Sequence, residues 1–185
     1  MKLACISSSS VLGAALLAVP LAAKAVDGEW VRMRVASLRT SETPPPPLRT
    51  ALRRLWADRL DADEQKWRAN PGPAGGAYPA RVQWALLDAG GRQVVISSLA
   101  GIFECSPAGS FSKDDLFTWC PLRVQSSGKA PIEVDPACWI ESEPGAVPDP
   151  ATSFMRARLE PGGVRVQVVQ RGQAVPQCDK LVPLP

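Results

Sequence analysis

Residues 81–97, Arg-Val-Gln-Trp-Ala-Leu-Leu-Asp-Ala-Gly-Gly-Arg-Gln-Val-Val-Ile-Ser, decide the class of fold. Val82, Trp84 and Leu86 recur with period two, as in a strand with one buried face. Asp88-Ala89-Gly90-Gly91 is a turn signal, and the apolar run Val94-Val95-Ile96 returns after it. Together they predict a β-hairpin. Towards the C-terminus the same texture continues. Residues 99–105 (LAGIFEC) and 117–124 (FTWCPLRV) read as strands, and the polar residues 106–116 between them as a loop. Residues 133–140 make a shorter strand, followed by a proline- and acid-rich loop over 141–151. Pro161-Gly162-Gly163 then joins strands over 153–160 and 164–170, and a last strand over 177–182 carries Cys178.

Towards the N-terminus the hairpin is preceded by the one convincing helix. Residues 48–67 place Leu48, Ala51, Leu52, Leu55 and Trp56 at three- and four-residue spacing on one face, with Arg49, Arg53 and Asp61 elsewhere. Asn70-Pro71-Gly72-Pro73 stops it. Four prolines, 44–47, precede it; they favour extended chain, and Pro47 suits the first helical turn. Residues 28–38 alternate Val31, Met33 and Val35 against Arg32 and Arg34, the pattern of a further strand. The expected fold is α+β: an antiparallel β-sheet of about six to eight strands, packed by one main α-helix and stapled by disulfides.

Residues 1–25 read as a secretory signal peptide. Lys2 is its positive end, residues 11–22 its apolar stretch, and Ala23-Lys24-Ala25 its cleavage signal. The apolar stretch is about 12 residues, short of the roughly 20 that span a bilayer. Residues 26–185 are thus expected to form a single exported domain, in the periplasm or secreted, without a stable membrane anchor. Cys5 precedes the apolar stretch and does not fit a lipidation signal. Cleavage removes Lys2 and Lys24 from the 21 bases, leaving 19 against 18 acids, a net charge of +1. That balance gives no support for binding nucleic acid.

Four cysteines remain after the leader. An even count in an exported chain predicts two disulfides. The pairing Cys105–Cys120 and Cys138–Cys178 is preferred over the other two because the first pair closes a local loop. A zinc site would want a CxxC spacing, which is absent. The sequence contains no histidine. This rules out, within this chain, a Ser-His-Asp triad, a Cys-His pair and a histidine pH switch.

The other candidate sites are modest. Ser110/Lys113 and Ser126/Lys129 match Ser-x-x-Lys but fall in expected loops, with no companion motif. Asp114-Asp115 and Glu141/Glu143 are the densest carboxylates outside the helix, and a hydrolase would need two such acids facing each other in a cleft. Asp58, Asp61, Asp63 and Glu64 lack the glycine of a calcium loop and read as a solvated helix face. No cofactor or metal is implied. Residues 30–57 carry a net +5 and residues 130–155 a net −5. These are either poles for a partner or segments that face each other in the fold.

Six tryptophans are the most suggestive feature. Trp119 adjoins Cys120, and Trp139 adjoins Cys138. Neighbouring strand residues point to opposite faces, so inward half-cystines send these indoles outward. Tryptophan and arginine dominate binding hot spots. Trp119 and Trp139, with Arg49 and Arg53 beside the helix's apolar stripe, are the expected binding residues. The alternative is that the indoles cover the second face of the sheet beneath the helix. The expected function is a non-enzymatic, monomeric, protein-binding domain, such as an inhibitor or immunity protein against an envelope enzyme or toxin. A carbohydrate binder using exposed tryptophans, and a carboxylate-dependent hydrolase, are the alternatives.

Overall fold

The computed structural model describes residues 28–38, 46–70, 80–100, 105–109, 117–140 and 151–185. The expected leader, Ser110/Lys113, Asp114-Asp115 and Glu141/Glu143 lie outside the described residues. The elements are β1 (Val31–Arg32), β2 (Arg34–Ser37), α1 (Pro46–Leu55), α2 (Ala57–Ala69), β3 (Arg81–Ala89), β4 (Arg92–Ala100), β5 (Ser106–Gly109), β6 (Phe117–Ser126), β7 (Ile132–Ile140), β8 (Phe154–Glu160), β9 (Gly163–Gln170), β10 (Gln173–Ala174) and β11 (Lys180–Val182). The antiparallel, mixed α+β character is as expected. The single sheet of six to eight strands and the single helix are not: among the described residues eleven strands form two sheets, β5 falls within the expected loop over 106–116, and two helices stand where one was expected.

The strands form two sheets. In the first, β2, β3, β4 and β6 lie side by side, with β5 on the same edge of β6 as β4 and β7 on the other edge. In the second, β1, β8 and β9 follow in order, and β10 and β11 both pair with β9. The expected strand over 28–38 is shared between them. β1 pairs with β8, Met33 donates its N–H to Met155 O at 2.8 Å, and β2 then pairs with β3. The chain thus switches sheets at one buried methionine.

One core lies between the sheets. Ala85, Leu87, Val94, Ile96, Leu122 and Val124 of the first meet Met155, Ala157, Leu159, Val164, Val166 and Val168 of the second. A second core lies on the far face of the first sheet, where Leu52, Leu55, Trp56 and Leu60 pack on Val82, Trp84 and Leu99. The order of layers is helices, six-stranded sheet, five-stranded sheet. The alternation of residues 81–97 is as expected, but both of its faces are interior: Val82 and Trp84 face the helices while Ala85 and Leu87 face the second sheet.

The hairpin turn is tighter than expected. The ladder runs to Ala89↔Arg92, so only Gly90 and Gly91 turn, with φ +63° and +86°. Two successive positive φ values mark the type I′ turn that suits strand twist. Gly163 is demanded by packing instead: a Cβ there would lie 2.1 Å from Val182 O, so the approach of β11 to β9 requires a bare backbone.

The disulfides join as expected, Cys105 to Cys120 and Cys138 to Cys178. The first closes a local loop ending in β6. The second links β7 of one sheet to the 3-10 turn Pro176–Cys178 before β11 of the other, and so staples the two sheets. In the chain-entropy model, closing loops of 15 and 40 residues contributes about 3 and about 4 kcal/mol.

The expected long helix breaks at Trp56, and the physical reason is a hydrogen-bond exchange. Arg59 N–H reaches back three residues to Trp56 O rather than four to Leu55 O. The Leu55 carbonyl accepts from Arg123 Nη1 of β6 at 2.6 Å. The break turns Trp56 fully into the core, where its indole Nε1 donates to Ser97 Oγ at 2.9 Å. Asp63 corrects the expected solvated face of the acids. It lies three residues after buried Leu60 on the same side of α2, and is itself buried.

Candidate interaction surface

The expected binding residues do not form a surface. Trp139 is 2% exposed, and Arg81 lies over its ring at 5.9 Å. Trp119 is half-buried against the core between the sheets. The indoles do part from their neighbouring half-cystines, but into different buried clusters: Trp119 and Cys138 into one, Cys120 and Trp139 into another. Alternation predicted divergence correctly. It could not predict that interior lies on both sides of this sheet. Arg49 is half-buried, and Arg53 is exposed with Nη1 donating to Leu38 O at 3.2 Å. The Leu38 carbonyl that Arg53 reaches belongs to a residue of the helix-side core, whereas Trp119 and Trp139 pack in two other clusters. Ser126 is buried and Lys129 exposed at the β6–β7 turn, so this Ser-x-x-Lys pair is not on a helix.

Two polar assemblies exist instead. The first is centred on Arg123, which is 9% exposed beneath the helix break. Its Nη1 and Nη2 each donate to one carboxylate oxygen of Asp58 at 2.6 Å, and its Nε and Nη2 to Glu133 Oε2 at 3.0 and 2.7 Å. The guanidinium lies over the Trp56 ring at 4.5 Å, and Arg59 pairs with the other oxygen of Glu133. The hydrogen bond from Arg123 holds the Asp58 carboxyl at about 2, against an ordinary 3.8. Burial pushes Glu133 up, but hydrogen bonds from Arg123 and Arg59 outweigh it and hold that carboxyl below its usual range. The acid of residues 130–155 that enters the fold here is thus met by bases outside residues 30–57. Every group of this cluster has a partner inside the chain, which suits a structural clamp.

The second assembly covers the outer face of the five-stranded sheet. Strand alternation builds it: Met155, Ala157 and Leu159 go inward, and Phe154, Arg156, Arg158 and Glu160 go outward. Register then sets two rows across the strands. Arg32, Arg156 and Gln167 form one, continued by Asp179 just before β11. Arg158, Arg165 and Leu181 form the other, with Trp30 at its β1 end. The guanidinium carbons of Arg156 and Arg158 each lie 4.4 Å from the Trp30 ring centroid, and that of Arg32 lies 4.4 Å from Phe154.

Hydrogen bonds tie most of this face together. Arg158 Nε donates to Glu160 Oε1 and Arg165 Nε to Glu160 Oε2, both at 2.7 Å. Arg165 Nη1 donates to Asp179 Oδ1 at 2.7 Å, and Gln167 Nε2 to Asp179 Oδ2 at 3.0 Å. The Arg165 hydrogen bond leads in holding the Glu160 carboxyl below its usual range. Leu181 is 42% exposed, one of two exposed large apolar residues among those described. The other, Val35, sits on the edge strand β2. Val169, opposite Phe154 and beside Ala174 of β10, is buried at the end of this face, but no residue of the outer face belongs to a buried cluster of described residues.

No family model, curated protein or solved structure matches this chain. What the chain can do must be read from its own surfaces. No helix among the described residues is long and apolar enough to cross a membrane. Among the same residues no group of three or more cysteine, aspartate or glutamate side chains is placed to hold a metal ion. Sequence reasoning passed over Trp30, Arg156, Arg158 and Arg165. The available signal was the alternation of residues 154–160, Phe-Met-Arg-Ala-Arg-Leu-Glu, which sets two arginines on the face opposite an apolar row.

Proposed function

We propose that this chain is a non-enzymatic, exported protein-binding domain that presents the outer face of its five-stranded sheet to a protein partner. The observation that carries the reading is that this face is uncovered among the described residues while bearing four arginines with Trp30, Phe154 and Leu181. Arginine and large aromatic side chains give much contact area for little ordering entropy, and here they are already held by their neighbours. The two disulfides support an oxidising location, periplasmic or secreted. An inhibitor or immunity protein is one concrete form, since both act through a rigid, preformed surface.

Two observations weigh against the alternatives. Sugar stacking needs an open aromatic face, but no tryptophan is exposed, and guanidinium groups lie over the Trp30 ring. A hydrolase needs a carboxyl held protonated near neutral pH, whereas among the described residues Asp58, Glu133 and Glu160 are held below their usual range by arginines.

The test is photo-crosslinking in the exporting cell. A photoreactive phenylalanine derivative is placed at Leu181, or at exposed Ala62 on α2 as the control. A discrete protein adduct from position 181 and none from position 62 is expected. No protein adduct from position 181, or equal yields from both, overturns the reading.

A further inference from the structure

We infer that Arg156 is the anchor for a carboxylate on an acidic segment of the protein partner. The inference rests on the outer face being the partner-binding surface. Across this face the charges follow one hydrogen-bonded chain. It runs from Arg158 to Glu160, to Arg165, to Asp179, to Gln167 and ends at Arg156. Arg158 and Arg165 oppose each other directly in the ladder, and Glu160 bridges them. Arg156 stands opposite Arg32 in the ladder, but the Arg32 guanidinium turns to Phe154 and that of Arg156 to Trp30. Arg156 makes no ion pair among the described residues. Its protein acceptor is the neutral amide oxygen Gln167 Oε1, reached by Nε at 3.0 Å and Nη2 at 2.5 Å.

An arginine carries five N–H donors in a rigid fork. Gln167 takes the side of that fork, using two. Of the other three, one on Nη1 and one on Nη2 form its end, the geometry that grips a carboxylate with two parallel hydrogen bonds. A carboxylate there would extend the alternation of charge by one member.

The rest of the face says which kind of anion fits. Glu160 and Asp179 interleave with the arginines, so a continuous polyanion such as a sulfated glycan or a phospholipid surface would meet two like charges. A protein segment can place an acid at Arg156 and apolar side chains against Phe154 and Leu181. The mixed face therefore favours a discrete carboxylate within a partly apolar surface.

The experiment maps and then breaks this contact. The adduct formed from position 181 is digested, and the cross-linked partner segment is sequenced. The expected segment contains aspartate or glutamate. Binding of the purified partner is then measured by titration calorimetry. Arg156→Gln is expected to weaken it about tenfold to a hundredfold, the strength of a hydrogen bond to a charged group. Arg92→Gln, at the start of β4 in the other sheet, should leave it unchanged. Substituting the partner's acid by its amide should give the same loss, with no further loss when both changes are combined. A thermal melt checks the Arg156 variant; if it does not fold, the partner-side substitution alone decides.

A cross-linked segment without acids, or an insensitive partner acid, overturns the inference and leaves the partner-binding reading standing. So does Arg156-dependent binding of a sulfated octasaccharide or of phosphatidylglycerol vesicles with the protein partner unaffected. Absence of any protein adduct from position 181 removes both.

Discussion

Replacing Arg123 with methionine tests how the helix layer is held to the sheet. Methionine keeps most of the length and apolar volume of the stem but donates nothing. The Leu55 carbonyl, deprived of the Nη1 donor 2.6 Å away, is left at the break without a partner, at about 1–3 kcal/mol. The stacking on buried Trp56 at 4.5 Å is lost, about 1–2 kcal/mol. Asp58 contributes little, about 0–1 kcal/mol, because its side chain is 65% exposed and can return to water. Glu133 keeps Arg59. Against these stands the apolar burial of the methionine, so the net cost is about 2–4 kcal/mol. For a domain of this size that lowers the melting temperature by about 5–15 °C.

The assay is urea unfolding of the oxidised protein, run as a function of pH. Folded Asp58 releases its proton at about 2 and Glu133 below its ordinary 4.5, so the unfolded state binds more protons between those limits. Their stabilisation is therefore complete above about pH 5 and lost as pH falls towards 2. Arg123→Met should reduce that acid limb, leaving the parts due to Glu160 and to the Arg59–Glu133 pair. The partner surface lies on the other sheet, so binding at permissive temperature should be unchanged. A loss below about 0.5 kcal/mol with an intact acid limb would refute the clamp.

Leu55→Ala, beneath the helix break, should cost about 2–5 kcal/mol by chemical denaturation, since Leu55 is buried in the helix-side core. Replacing Cys138 and Cys178 together by alanine should cost about 4 kcal/mol and speed amide exchange along β11, whereas an unchanged midpoint would mean that the cores alone hold the sheets together. Gly163→Ala should strip exchange protection from residues 180–182 before any other strand, because the new methyl displaces the Val182 carbonyl; uniform loss of protection would contradict a local role.

Much of the secondary structure was legible because its signals are local. Gly90-Gly91 and Pro161-Gly162 mark hairpins through backbone freedom, and period-two alternation marks β3, β4 and β8. The disulfide pairing was legible from loop length. The helix break was not, because it depends on Arg123, far along the chain, supplying the Leu55 carbonyl with a donor. Nor was the burial of Trp139. Alternation says that neighbours point apart, but not whether the far side is water or a second layer.

The sequence by itself determined the antiparallel β-rich character, the hairpin turns, the cysteine pairs and the absence of histidine chemistry, since each depends on local pattern, loop length or composition. Only the tertiary structure decided which faces are interior. Trp119, Trp139 and Asp63 looked like surface because their local patterns carry no term for what packs above them. Arg156 and Arg158, by contrast, sit on an unremarkable alternating strand. They become a candidate site because β1, β9 and β11 bring Trp30, Arg32, Arg165 and Leu181 alongside on the face that no other layer covers among the described residues.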